Sequence, residues 1–228
     1  MVAITEERSL SSTTPEIIYP SSDGEPLAET QQHVSAILFT FGLLRLYLQN
    51  QQAVVFADQF LYYIEGNPKA RVAPDVMVVF DITKKLYGNY KIWEGMQNPA
   101  IIIEVTSAGT KDTDLNFKKT FYEQLGVTEY WLFDPYGEWI TEQLRGYRLN
   151  AAGIYEPITD HCSQILQLRL EADEYLISFY RLDNGAKLRT LEELDTAIHE
   201  AEQRAEQESQ RANRLAEKLR QLGVEIDE

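Results

Sequence analysis

Apolar residues between Leu27 and Leu48 recur three and four apart, at Val34, Ile37, Leu38, Phe41, Leu44 and Leu48, which predicts a helix with one broad apolar face. Residues 1–18 ahead of it read as a loose arm able to pair at a sheet edge, and Tyr19–Pro26 reads as a loop dense in turn formers. After the helix the pattern becomes that of strands. Val54–Ala57 and Phe60–Ile64 are rich in β-branched and aromatic residues, and Gly66, Asn67 and Pro68 end the run. Asp75–Phe80 and Ala100–Val105 each follow a proline and are nearly unbroken apolar runs, as strands covered on both faces are. A second helix is expected from about Asp114 to Leu125, with Asp114 as N-cap and Gly126 just past its end. Glu129–Phe133 follows, closed by Asp134-Pro135, and further strands are expected near 138–149, 153–158 and 165–182 as a meander. The order reads as α/β or α+β, a mixed central sheet with at least one helix packed on it.

The last 40 residues have another period. Leu191, Leu194, Ile198, Ala201, Ala205, Glu208, Ala212, Leu215, Leu219 and Leu222 alternate three and four apart without a slip, and all but Glu208 are apolar. Residues 190–222 are therefore expected to form one helix. Its seam is covered either by another chain, making a homo-oligomer, or by its own domain. The expected division is a core of residues 1–187 and an acidic coiled-coil tail of residues 188–228.

The length of 228 residues suits one domain with an appendage, and 44% hydrophobic with 25% charged residues is the balance of a folded chain. Charge changes the picture more. Against 21 Lys and Arg stand 36 Asp and Glu, a net of −15, so the surface as a whole repels nucleic acid and anionic membrane. Such a partner would have to be met by a local patch or through a bound cation. One cysteine, Cys162, excludes an internal disulfide and a multi-cysteine zinc site, and reads as an inert thiol. Met1–Ser12 carries Glu6 and Glu7 and is no secretory signal, and the longest apolar stretch, Val34–Leu48, is too short to span a membrane. A cytoplasmic location is the expectation.

Three residues break the pattern in a way that suggests chemistry. Glu104 follows Ile101, Ile102 and Ile103 toward the end of a buried strand, where an ionised carboxylate must be paired or ligate a metal, unless the strand has already reached solvent. Lys118 falls on a helical wheel inside the apolar arc of Leu115, Phe117, Phe121, Tyr122 and Leu125, while Lys119 falls outside it. Lys118 must snorkel or find an anion, and because the helix begins only about ten residues after Glu104 it must pack close to that strand, which sets Lys118 beside Glu104. Asp75 opens the other buried strand, and alone would pass for a turn residue. Together, two carboxylates with water suit Mg²⁺, and a lysine beside that ion can orient a water or stabilise charge on a phosphate.

Elsewhere, Ile82–Gly95 carries Lys84, Lys85 and Lys91 interleaved with Tyr87, Tyr90 and Trp93. That composition could touch nucleic acid, or form a surface loop whose aromatics fold under it. Thr110–Asp114 lacks the ligands of a calcium loop and reads as the turn before the helix.

Pro74-Asp75, then Ile102-Ile103-Glu104-Val105-Thr106-Ser107, Asp114-Leu115 with Lys118 and Tyr122, Gly126-Val127, Glu129-Tyr130-Trp131 and Asp134-Pro135 form an ordered series. Over residues 25–185 it resembles the Uma family of putative restriction endonucleases, within the PD-(D/E)XK nuclease superfamily. The resemblance implies a restriction-endonuclease-like α/β fold and a metal-dependent endonuclease acting on DNA. Asp75 and Glu104 would hold Mg²⁺ or Mn²⁺, with the Val105 carbonyl assisting, and Lys118 would act on the attacking water. The superfamily lysine, two residues after the second carboxylate, is here replaced by Thr106, and Lys118 on the following helix stands in for it. The superfamily's acidic residue on the first helix maps to Glu29, with His33 one turn later; each also has an ordinary structural reading. The alternatives are a catalytically silent module of the same fold that recruits a partner through the coiled coil, and a hydrolase of a smaller phosphodiester.

Overall fold

The computed structural model describes residues 17–24 and 29–221. The edge-pairing arm expected over residues 1–18 lies almost wholly outside the described residues, as do 25–28 and 222–228. The chain is a mixed α/β fold. Its elements in order are α1 (Gln31–Tyr47), β1 (Ala53–Ala57), β2 (Leu61–Tyr62), β3 (Arg71–Val72), β4 (Val76–Phe80), β5 (Tyr90–Lys91), α2 (Ile92–Gly95), β6 (Ile101–Val105), a π-helical segment (Thr113–Lys118) running into α3 (Lys119–Leu125), β7 (Glu129–Phe133), β8 (Leu144–Leu149), β9 (Tyr155–Ile158), β10 (Cys162–Ser163), β11 (Leu168–Asp173), β12 (Leu176–Arg181) and α4 (Leu191–Gln221).

A six-stranded sheet in the order β1-β4-β6-β7-β8-β9 forms the centre, antiparallel except for the β6–β7 pair. The parallel pair needs a crossover, which the π segment and α3 supply. The two faces of β6 divide the core. Ile101, Ile103 and Val105 face α1 and the small β10-β11-β12 sheet. Ile102 faces α3 with Met77, Tyr122, Tyr130 and Leu132, and Glu104, two residues on, shares that face. A strand covered on both sides reads as a continuous apolar run, which is why the isoleucine triplet was legible.

Several local expectations are corrected. The first helix begins four residues later than its apolar spacing suggested, because Thr30 is the N-cap and accepts a hydrogen bond from the His33 amide. Its buried stripe is His33, Ala36, Thr40, Leu43 and Leu44, whereas Val34 and Leu38 are exposed. The helix is apolar almost all the way round from Ala36 to Leu48, so spacing alone selects no face. Phe60–Ile64 contributes only Leu61 and Tyr62 to a strand, paired with β3 and β5 in a second small sheet. Asp114 is not a cap. It lies inside the π segment, and Phe117, placed by the wheel on the packed arc, is 62% exposed. A wheel drawn at the α-helical angle misplaces residues where the turn widens.

In the 82–95 loop the aromatics do fold under. Tyr90 is buried, and Tyr87 and Tyr90 pack on Phe56. The loop lysines are engaged at home: Lys84 Nζ donates to Gln49 O at 2.7 Å, Lys85 lies over the Tyr87 ring, and Lys91 pairs with Glu94. No helix among the described residues is long and apolar enough to cross a membrane.

Candidate active site

The antiparallel register of β4 and β6, with Val76 opposite Ile103, brings Asp75 alongside Glu104 at the strand ends. The Asp75 amide donates to Glu104 Oε2 at 3.3 Å, and the Val105 amide donates to Asp75 Oδ2 at 2.7 Å. From the other side the π segment and α3 present a stripe of residues four apart. Lys118 Nζ lies 3.0 Å from Glu104 Oε2 and 2.9 Å from Asp114 Oδ1. Tyr122 donates its hydroxyl to Glu104 Oε1 at 2.8 Å. Tyr130, on β7, donates to the Asp114 carbonyl at 2.9 Å and so fixes the π segment against the sheet.

Glu104 and Asp114 have essentially no exposed surface, while the Lys118 side chain keeps 16% and Asp75 is half-buried. The cluster is thus sealed on the Glu104 side and open to solvent past Asp75 and Lys118. Burial pushes the Glu104 carboxyl up to about 8 against the lowering effect of Lys118. Burial also raises Asp75 to about 6, although Lys118 and the Val105 amide pull it down. Burial works against the Lys118 ammonium too, but Glu104, Asp114 and Asp75 outweigh it and hold the lysine above its ordinary value.

Asp75, Glu104 and Lys118 therefore meet, as their sequence positions suggested. Two further candidates, Glu29 and His33, do not join them. Glu29 is not on the first helix at all. It precedes the cap Thr30, is exposed, and makes no hydrogen bond or ion pair with the cluster. A helix that starts at Gln31 cannot carry residue 29. His33 is buried on α1 with its Nδ1 unpartnered, and no bond links it to the cluster. Thr106, two residues after Glu104, is buried with its hydroxyl donating to Phe133 O.

Asp114 was missed as a site residue. The signal was present as a carboxylate four residues before Lys118 and eight before Tyr122, a single stripe on a helix, but the capping reading absorbed it. Two other acids of the ordered series prove to be structural. Glu129, fully buried, accepts from Arg148 Nε at 3.0 Å, from the Trp131 indole and from the Gln164 amide. Asp134 accepts amides of Tyr136, Trp139 and Ile140 and closes the turn after β7.

The donor set can be tested against a divalent cation. Asp114 Oδ2 is buried and has no hydrogen-bond partner. Three carboxylates face one ammonium, leaving two negative charges in excess when all are ionised. Among the described residues no three His, Cys, Asp or Glu side chains form a ready metal cage. Mg²⁺ asks for less, usually one or two carboxylates with the rest water, and oxygen donors at the mouth of the cluster fit it. The Val105 contact seen is its amide on Asp75, and an N–H cannot ligate a cation.

No curated protein matches the chain. Among solved structures, the chain is similar to a putative nuclease belonging to DUF820 from Anabaena variabilis ATCC 29413. Identity is 16%, the match covers 63% of this chain and 77% of that one, and the TM-score is 0.44. The sequence profile of the Uma2 family, described as putative restriction endonuclease, matches residues 7–172, well over half of the 228. The chain belongs to that family.

Proposed function

We propose that this protein is a metal-dependent endonuclease that hydrolyses DNA phosphodiester bonds. The observation that carries the reading is the convergence of Asp75 and Glu104 with Lys118 at the open end of two buried strands. Asp75 and Glu104 would hold Mg²⁺ or Mn²⁺, with the Val105 carbonyl as the neighbouring backbone donor. The bound ion would supply Lewis-acid polarisation of the phosphate and a water acidic enough to attack at neutral pH. Lys118, kept charged by its three carboxylate neighbours, donates to the phosphate oxygens and stabilises the charge that develops there. Its partial exposure leaves it a path to substrate, whereas Tyr122 and Tyr130 hold Glu104 and Asp114 in place from the dry side. In the net reaction the water oxygen bonds to phosphorus, one ester P–O bond breaks, and the leaving oxygen takes a proton.

The net charge of −15 shapes the expected binding. The general field opposes a polyphosphate, so DNA affinity should be weak without divalent metal and should fall with salt. The test is cleavage of plasmid DNA by the full chain with Mg²⁺ or Mn²⁺, with chelator, and with Asp75→Asn. Cleavage that needs metal and is lost in Asp75→Asn supports the reading. Cleavage that persists in chelator or in Asp75→Asn overturns it, and absence of cleavage with either metal favours the silent module.

A further inference from the structure

We infer that α4 pairs antiparallel with α4 of a second copy of this chain, in the register that sets Ile198 of one copy against Leu215 of the other. The inference is independent of the nuclease reading. α4 starts from a capping box in which the Thr190 amide donates to Glu193 Oε2 and the Glu193 amide to Thr190 Oγ1. Lys187 pairs with Glu193 beside it. As far as Arg204 one flank of the helix borders an open cleft with Phe39 and Leu176 of the core, and Leu194 and Ala197 are half-buried. None of its described side chains is buried, and Ile198 and Leu215 on the apolar seam are 55% and 52% exposed. At 31 residues it extends about 47 Å, and the seam positions Ile198, Ala201, Ala205, Glu208, Ala212 and Leu215 are exposed in the single chain.

Three features of α4 select the occupant and its direction. The first is charge. Residues 191–206 hold six acids and one base, whereas residues 207–221 hold two acids and four bases. A parallel copy would lay acid beside acid and base beside base. An antiparallel copy lays the acidic half of each helix along the basic half of the other.

The second is size. About a midpoint between Glu206 and Gln207, every seam position falls opposite another: Leu194 opposite 219, Ile198 opposite Leu215, Ala201 opposite Ala212, Ala205 opposite Glu208. Large residues then meet large ones toward the ends, and the two alanines meet near the middle, where the helices can approach closely. The spacing of four, three and four maps onto itself under that reversal, so the pair is isologous, with one patch serving both copies.

The third is Glu208. A parallel pair would set it directly against the same glutamate of the second copy. The antiparallel register sets it against Ala205, with Arg204 and Arg211 four before and three after it on the same helix flank. The two cores then emerge at opposite ends of the paired helices.

The experiment uses the full chain with Cys162→Ser, the sole cysteine being removed. Ala201→Cys and Ala212→Cys are made as separate proteins, one carrying a tag. In the inferred register position 201 faces 212 of the second copy, while like positions lie about 16 Å apart along the axis, beyond disulfide reach. Oxidising the mixture should give the mixed 201–212 dimer, and oxidising either protein alone should give little dimer. Dimers of like with like, formed readily by each protein alone, would mean a parallel pair and overturn the direction. Light scattering on the unmodified chain keeps the test free of the substitutions: the mass should approach twice that of one chain, and a monomer at every accessible concentration would overturn the inference.

Discussion

Lys118 and Glu104 meet across 3.0 Å, an ammonium from the π segment against a carboxylate with no exposed surface. A buried pair of this kind contributes little net stability, because removing both charges from water costs about what their attraction returns. Breaking it is different, since the survivor is left buried and uncompensated. The cluster therefore reads as a device for holding one cation at a fixed point beside two acids, rather than as a structural strut.

Lys118→Met should abolish cleavage, by on the order of 10²-fold or more, as removal of one transition-state donor does elsewhere. Methionine keeps the apolar stem, and Glu104, already raised by burial, takes up a proton once the ammonium is gone, so the fold should persist at reduced stability, which a melting curve of the variant checks. Lys119→Met is the control: Lys119 lies over the Tyr147 ring, 4.3 Å from its centroid, and makes no contact with the acids. Equal losses in the two variants, compared by initial rates on one plasmid, would show that the ammonium at Glu104 is not the one that matters.

Asp114→Asn should lower cleavage roughly 10–100-fold, the range seen when a residue that orients a site is changed. Asp114 Oδ1 stands 2.9 Å from Lys118 Nζ, which it anchors together with Glu104. A positioning role predicts that the loss appears in kcat, with KM for DNA little moved, because the substrate is not touched by a group this deeply buried. A loss confined to KM would contradict it.

Glu129→Gln should fail in another way. Glu129 closes a buried bond set with Arg148, Trp131 and the Gln164 amide, and Arg148 also donates to Cys162 O at 2.6 Å. Glutamine keeps one acceptor oxygen, but it removes the counter-charge of Arg148 and turns an NH2 toward one of the three N–H donors, a mismatch at a buried group that costs about 1–3 kcal/mol. Chemical denaturation should report that loss. Activity per folded molecule should be unchanged, which separates the structural acid of the ordered series from the acids of the site.

How much of this was legible before the structure differs by element. The buried strands announced themselves because a strand covered on both faces can hold only apolar residues, and Glu104 stood out against that background. Lys118 was found for the same reason on a helix. Asp114 was hidden because an aspartate at the start of a helical run has a common local explanation, and only the π turn shows it facing inward. Glu29 went wrong at a boundary: the apolar spacing ran on past the true cap, Thr30, and four residues of register decide whether an acid lies on a helix. The direction of the α1 face was illegible because that helix is apolar nearly all round.

The last prediction concerns pH. Glu104 is raised from 4.5 to about 8 and Asp75 from 3.8 to about 6, in both cases chiefly by burial. A carboxyl with a raised value prefers to be protonated in the folded chain. Its contribution is therefore fully present below the unfolded value and is lost as pH rises through the folded one. Without divalent metal, stability should thus decline between about pH 4 and 8, through Asp75 from 3.8 to about 6 and through Glu104 from 4.5 to about 8. A fall of several degrees in melting temperature over that window is expected for a chain of this size. Glu104→Gln cannot ionise and should flatten the upper part of the decline. Mg²⁺ binds the ionised carboxylates, so its stabilising effect should grow with pH and be larger at pH 8 than at pH 6. Melting curves across this range, with and without Mg²⁺, check each point. A metal-free protein that gains stability steadily from pH 5 to 8, with the Glu104→Gln variant following the same curve, would show that Glu104 is ionised in the fold throughout and that Lys118 outweighs its burial.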